Sequence, residues 1–134
     1  PIISTVMKQV GYPTSPSQLK SKLARFINSN GNSYVASMDS KIVGWIAWTK
    51  SYVLLTGRNR FHIEGLVVDE GHRNLGVGKA LMNFVENIAT EHGPSVIDLT
   101  SGVRRAPDGT HEFYKALGYK NEGHMAKVYL RKEV

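Results

Sequence analysis

The feature that most constrains this chain is a strand followed at once by a glycine-containing loop and the start of a helix. Arg60 to Val68, R-F-H-I-E-G-L-V-V, has the length and the aromatic and β-branched content of a strand. Apolar residues then recur at helical spacing, which predicts a helix from Gly76 to His92. Gly76 and Gly78 therefore stand where a loop turns into a helix, and the free N–H groups of a helix N-terminus favour an anion.

The loop adds positive charge and backbone freedom to this helix start. Arg73 and Lys79 bring fixed cations, and the glycines let a phosphate approach the backbone closely. Two common nucleotide-binding patterns do not fit: G-x-G-x-x-G requires a glycine where this chain has Leu81, and no G-x-x-x-x-G-K-S/T occurs. A glycine pair at a helix start is also frequent in ordinary turns, so the spacing alone leaves the ligand open.

Two motifs narrow the choice of ligand. The first is R-x-x-G-x-G at Arg73, Gly76 and Gly78. The second is H-E-F-Y-K-A-L-G-Y from His111 to Tyr119, and the predicted strand Val96–Ser101 lies between the two. In this order they resemble the pyrophosphate loop and the F-Y-x-x-L-G-Y/F segment of the GNAT superfamily of N-acetyltransferases. The resemblance extends loosely over nearly the whole chain, and it implies acetyl-CoA as co-substrate and an amine as acceptor.

The remaining pattern predicts helices and strands around one core. Ser15-Pro16-Ser17-Gln18 has the form of a capping box with proline at the first helical position, and Asn30-Gly31 ends that helix. Further predicted elements, in chain order, are a hairpin of Ser33–Met38 and Ile42–Thr49, a helix over Thr110–Leu117, and one or two strands over Tyr119–Leu130. The 134 residues suit a single domain spanning 1–134. We expect a GNAT-like three-layer α/β fold, with a mixed, splayed central sheet and helices on both faces.

The beginning of the chain departs from the family pattern. GNAT domains usually begin with a short strand, whereas Pro1–Met7 is predicted to be helical and position 1 is not Met. We therefore expect the usual first strand to be missing, through truncation or processing. The edge of the Ser33–Met38 strand is then uncovered, and because an uncovered edge favours association, a homodimer is the hypothesis that follows.

The resemblance also assigns residues to acetyl-CoA. In the family the central strand splays from its neighbour and its backbone groups hold the pantetheine arm, and Gly65 is suited to the bulge that produces such a splay. Asn74 stands where the family frequently has glycine, and asparagine tolerates left-handed backbone. Ser101 is a further candidate for pantetheine, although a serine at a strand end often satisfies a turn. The implied backbone set is Leu66, Val67 and Val68 for pantetheine, and Arg73, Asn74, Gly76, Val77, Gly78 and Lys79 for the pyrophosphate.

Three side chains are candidates for proton transfer. Glu64 is the candidate general base, because an ammonium acceptor must lose a proton before it attacks the thioester. Alternation along a strand places His62, Glu64 and Leu66 on one face, so His62 is the alternative base. Tyr114 is the candidate general acid, because the family commonly places this hydroxyl near the sulfur of coenzyme A and a phenol can protonate a thiolate.

Composition excludes several functional classes. The chain has no cysteine, which excludes disulfides, thiolate metal sites and a thiol nucleophile, and we predict no metal ligands. The longest uncharged apolar stretch, Ile42–Trp48, is far shorter than the roughly 20 residues that span a bilayer. No secretory signal pattern is present, so we expect a soluble cytoplasmic protein that does not bind membranes.

The net charge of +6 raises the alternative of a basic nucleic-acid-binding domain. Apart from the pairs Arg104-Arg105 and Arg131-Lys132, the cations occur singly among acids and polar residues, so we expect no nucleic-acid partner. A domain that binds acyl-CoA as a sensor without catalysis is the other alternative. The segments expected to face the acceptor, including a predicted loop from Lys50 to Asn59, carry no signature of a particular amine.

Overall fold

The computed structural model describes residues 15–100, 109–123 and 126–134. Two compact units divide the chain, residues 1–99 and residues 100–134. The described elements of the first unit are α1 (Pro16–Asn28), β1 (Gly31–Met38), β2 (Lys41–Val53), β3 (Arg58–Val68), a 3-10 turn (Glu70–His72), α2 (Val77–Glu91) and β4 (Ser95–Leu99). The second unit contains α3 (Thr110–Ala116). No helix within the described residues is long and apolar enough to cross a membrane.

The four strands form one open, mixed sheet in the order β1-β2-β3-β4. β1 pairs with β2 and β2 with β3 in antiparallel fashion, whereas β3 and β4 are parallel. α2 is the crossover between the two parallel strands, as a parallel connection requires. The predicted α/β fold with a mixed sheet is therefore confirmed, while the expected loss of a first strand falls on residues 1–14, outside the described residues.

Local signals explain where α1 begins. The Ser15 hydroxyl accepts a hydrogen bond from the Gln18 backbone at 3.2 Å, and the Ser15 backbone donates to the Gln18 side chain at 3.1 Å. This reciprocal pair is the predicted capping box, and Pro16 occupies the first helical turn. The helix ends before Asn30, whose φ of 66° turns the chain into β1.

The segment from Lys50 to Asn59 is mostly strand, so its prediction as a loop is wrong. β2 continues to Val53 and β3 begins at Arg58, with pairs running from Lys50 opposite Phe61 to Val53 opposite Arg58. The ladder satisfies backbone groups that a loop would leave to water, and only the residues between Val53 and Arg58 form the turn. The β1–β2 hairpin closes at Asp39 and Ser40, both at positive φ, as a two-residue type I′ turn requires.

The core of the first unit lies between α2 and the sheet. The buried side chains of α2 are Val77, Leu81, Met82, Val85 and Ala89. Gly44 of β2 permits this close packing, because a Cβ there would lie 2.8 Å from Val77 Cγ1 and 3.1 Å from Leu81 Cδ1. The sheet side of the core includes Ile46, Trp48, Phe61 and Ile63, each at most 5% exposed.

The second unit differs from its prediction after α3. Gly118, at a φ of 95°, ends the helix as expected. The strand or strands predicted over Tyr119–Leu130 are wrong for the described part of that range, which has no strand. The side chain of Asn121 accepts from the Lys127 N–H at 2.7 Å and donates to the Lys127 carbonyl at 3.1 Å. At Lys127 the backbone is therefore bonded to a side chain rather than to a neighbouring strand.

Gly44→Ala should destabilise the chain by about 1–3 kcal/mol, because the added methyl overpacks the contact between β2 and α2. Gly65→Ala is the matched control, since its Cβ would meet the Trp45 ring at an ordinary 3.8 Å. Chemical denaturation of the two variants measures the difference. Equal midpoints for both would show that Gly44 does not set the helix–sheet distance.

Candidate functional site

A β-bulge interrupts the ladder between β2 and β3. Ala47 lies opposite Gly65, but the next residue, Trp48, lies opposite Ile63, so Glu64 is an extra residue without a partner on β2. The bulge predicted near Gly65 is thereby confirmed. Glu64 is also exposed, whereas Ile63 is 5% exposed. A bulge of this kind re-aims a side chain out of the ladder, which sets Glu64 apart from the strand residues around it.

The bulge also reverses the alternation of faces along β3. Leu66 pairs with Ile46, which lies on the α2 side of β2, whereas His62 pairs with Thr49 on the opposite side. The expectation that His62 and Leu66 share a face is therefore wrong. An inserted residue shifts the period-two pattern by one, so strict alternation fails across Glu64.

The sheet opens at the same place. The parallel pairing of β3 with β4 ends at Ile63 opposite Leu99, yet β3 runs on to Val68. Within the described part of the chain, residues 64–68 have no strand partner on the side where β4 lies. An unpaired strand edge presents a row of N–H and C=O groups to any extended ligand placed beside it.

Hydrogen-bond alternation shows which groups face this open edge. The Asp69 N–H donates to the Val43 carbonyl at 2.8 Å. Because bonded pairs alternate along an antiparallel ladder, Val67 directs its backbone groups toward β2 as well. Leu66 and Val68 direct theirs to the open side. Of the three residues implied for pantetheine, these two have backbone groups available at the edge.

The loop that follows combines left-handed backbone with an uncapped helix start, and such a helix start can hold an anion. Asn74 has φ 64° and Gly76 has φ 82°, so asparagine does adopt the left-handed conformation expected of it. No side chain caps α2, and its first helical bond runs from the Ala80 N–H to the Gly76 carbonyl at 3.0 Å. Among residues 15–100, 109–123 and 126–134, nothing lies within 4 Å of a Cβ built on Gly76. The amides without a helical acceptor are those of Val77, Gly78 and Lys79.

A charged cluster lies on the sheet face opposite α2. Asp98 of β4 accepts from Arg60 Nε at 2.7 Å through one oxygen, and its other oxygen lies 2.7 Å from His62 Nδ1. Arg60 Nη2 is 3.1 Å from the same imidazole nitrogen. Asp98 was not among the residues predicted from the sequence. Its signal was present in the strand pattern, since pairing Val96–Ser101 beside Arg60–Val68 in parallel brings an acid next to His62.

Tyr114 lies on α3 in the second unit, half-buried, with ring centroids of Phe113 and Tyr119 at 5.1 Å and 6.1 Å. Its role as an acid remains a prediction. Ser101 lies outside the described residues. Among those that are described, no group of three or more potential ligands is placed to hold a metal ion.

Comparison with known proteins gives a consistent picture. The sequence profile of the acetyltransferase (GNAT) family matches residues 3–119. An uncharacterized N-acetyltransferase of Methanocaldococcus jannaschii is 31% identical over 99 residues, which cover 73% of this chain and 42% of that protein. A GNAT family acetyltransferase of Staphylococcus aureus superposes with a TM-score of 0.78 at 21% identity, over 98% of this chain and 87% of that one. An aminoglycoside acetyltransferase from an uncultured soil metagenomic sample gives 0.72 at 20% identity, over 96% and 85%.

These similarities differ in what they establish. The chain spans less than half the length of the curated relatives it matches, 42% and 43% for two of them. The two solved structures share the fold alone at such identities. These structures confirm the predicted GNAT-like fold class. The match to the family profile covers most of the chain, residues 3–119.

Proposed function

The chain belongs to the acetyltransferase (GNAT) family, and we propose that it moves an acetyl group from acetyl-CoA to a primary amine by direct transfer. The observation that supports the proposal is that three features follow one another along the chain: the bulge at Glu64, the open edge of β3, and the uncapped N-terminus of α2. Together they offer an elongated surface of backbone donors and acceptors that ends at an anion site.

Acetyl-CoA fits this surface chemically. Its pantetheine amides match the outward backbone groups of Leu66 and Val68, while Val67 holds β3 to β2. Its pyrophosphate matches the amides of Val77, Gly78 and Lys79, reinforced by the helix dipole. The side chains of Arg73 and Lys79 supply charge, and the left-handed Asn74 shapes the turn before them.

Residues of the chain would then position the thioester and the amine and transfer the protons. Holding thioester and amine side by side is worth up to about 7–11 kcal/mol in favourable cases. Glu64, displaced from the ladder and exposed, removes a proton from the ammonium group directly or through one water. Tyr114 donates the proton that the departing thiolate requires.

The acceptor is proposed only as a primary amine. One structural neighbour is an aminoglycoside acetyltransferase, so an aminoglycoside belongs in the amine panel beside amino acids, small amines and peptides. A single domain over 1–134, a cytoplasmic location, and a homodimer through the edge of β1 also remain proposals. Acetyl-CoA binding without turnover on the whole panel would indicate a sensor, and salt-dependent DNA or RNA binding with indifference to acetyl-CoA would indicate a nucleic-acid-binding domain.

Gly78→Val should reduce acetyl-CoA affinity at least about 100-fold, because a branched side chain at the second residue of α2 crowds the phosphates. Asn87→Val is the control, since it places the same side chain at an exposed position of α2 far from its N-terminus. Isothermal titration calorimetry on both folded variants measures the effect. Unchanged affinity in Gly78→Val would contradict the assignment of the pyrophosphate.

Glu64→Gln should lower kcat by about 10²- to 10⁴-fold and leave acetyl-CoA affinity nearly intact, because the amide keeps the shape but accepts no proton. The acidic limb of the pH–rate profile should move or vanish. Glu91→Gln, an exposed change at the end of α2, should behave as wild type. A Glu64→Gln protein with normal rate and normal profile would exclude Glu64 as the base.

Tyr114→Phe should bind acetyl-CoA like the wild type and turn it over much more slowly, because phenylalanine keeps the ring and removes the hydroxyl. The deficit should shrink with an acyl donor whose thiol is more acidic, since a better leaving group needs less protonation. Tyr129→Phe, at an exposed tyrosine, is the control. Equal rates for both variants would make Tyr114 a packing residue.

A further inference from the structure

We propose that His62 is a second proton acceptor in this site and that Asp98, itself held by Arg60, is the residue that positions it; the inference rests on the proposed acetyl transfer. The contacts that carry it are the 2.7 Å approach of His62 Nδ1 to one oxygen of Asp98 and the 2.7 Å bond from Arg60 Nε to the other.

The geometry selects one tautomer of the imidazole. At 2.7 Å from a carboxylate oxygen, Nδ1 must carry a proton and donate it, because two acceptors at that distance would repel. Nδ1 then has no lone pair to accept a hydrogen bond from Arg60 Nη2, which lies 3.1 Å away. The guanidinium of Arg60 donates to Asp98 instead. Neutral His62 therefore keeps its lone pair on Nε2, the ring nitrogen that is not bonded to Asp98, and the carboxylate holds the ring in that orientation.

The cluster of Arg60, His62 and Asp98 lies next to the proposed site of acetyl transfer. His62 pairs with Asp98 one position before the β3–β4 pairing ends, and it precedes the bulged Glu64 by two residues. The side chain of His62 is 21% exposed, so it is held in place yet reachable. Within residues 15–99, the charged groups joined to it are Arg60 on β3 and Asp98 on β4, and its neighbour on β2 is the uncharged Thr49.

The proton balance of the reaction leaves room for two acceptors. An ammonium acceptor has three N–H bonds and a secondary amide has one, so two protons leave the nitrogen as the N–C bond forms and the C–S bond breaks. The electron pair of the C–S bond goes to sulfur, which receives one proton through Tyr114, and the other proton reaches solvent. Glu64 takes the first proton before attack, and His62 Nε2 takes the second as the nitrogen bonds to carbon.

Steady-state kinetics on three variants test this. His62→Ala should lower kcat at neutral pH by about 100-fold and Asp98→Asn by about 10-fold, both with acetyl-CoA affinity unchanged. The deficit of each should shrink as pH rises, because hydroxide then replaces the lost base. Asp39→Asn is the matched control: it makes the same change at an exposed turn residue with positive φ, a conformation that asparagine tolerates, and it should keep wild-type rates.

A structural readout accompanies the kinetics. Nitrogen-15 NMR of the wild type should show the proton of neutral His62 on Nδ1, and Asp98→Asn should shift the population toward Nε2–H. An Nε2–H tautomer in the wild type, or wild-type kcat in both His62→Ala and Asp98→Asn, would overturn the inference while acetyl transfer itself stands. A wild-type chain that acetylates no amine would overturn the proposed function and this inference with it.

Discussion

In the ladder between β2 and β3, β3 has one extra residue, Glu64, and the candidate site depends on that insertion. Because Glu64 has no partner on β2, its side chain leaves the regular pleat, and the faces of β3 exchange on either side of it. The parallel pairing with β4 stops at the preceding residue. One local irregularity thus exposes a carboxylate, turns His62 toward the face away from α2, and coincides with the start of an open edge.

The rest of the first unit holds this irregularity in place. α2 packs closely on β2 because Gly44 has no side chain, and the buried stripe of α2 fixes the direction in which its N-terminus points. That N-terminus follows β3 through a short turn in which Asp69 contacts His72 at 2.8 Å. The proposed anion site and the open edge are therefore positioned by the same helix–sheet core, an arrangement that would suit a long, anionic acyl donor.

Sequence patterns predicted the parts of this structure that depend on local chemistry. The capping box at Ser15, the left-handed Asn74 and the bulge near Gly65 all follow from what those residue types do to their own backbone. The parts that depend on a distant segment could not be predicted in the same way. Asp98 meets His62 only once β4 aligns with β3, and the residues from Lys50 to Asn59 become strand only by pairing with each other. The predicted alternation of faces failed at Glu64 because the bulge is defined by how β3 pairs with β2, and the sequence of β3 alone does not contain that pairing.

Amide NMR of the isotopically labelled chain during titration with acetyl-CoA tests the proposed site most directly. We expect the largest shifts at Leu66, Val68, Val77, Gly78 and Lys79, with Val67 moving less because its backbone groups bond to β2. An unchanged spectrum would contradict the proposal. So would shifts confined to the other end of the sheet, in the cleft whose lining includes Asn30, Asn32 and Tyr52.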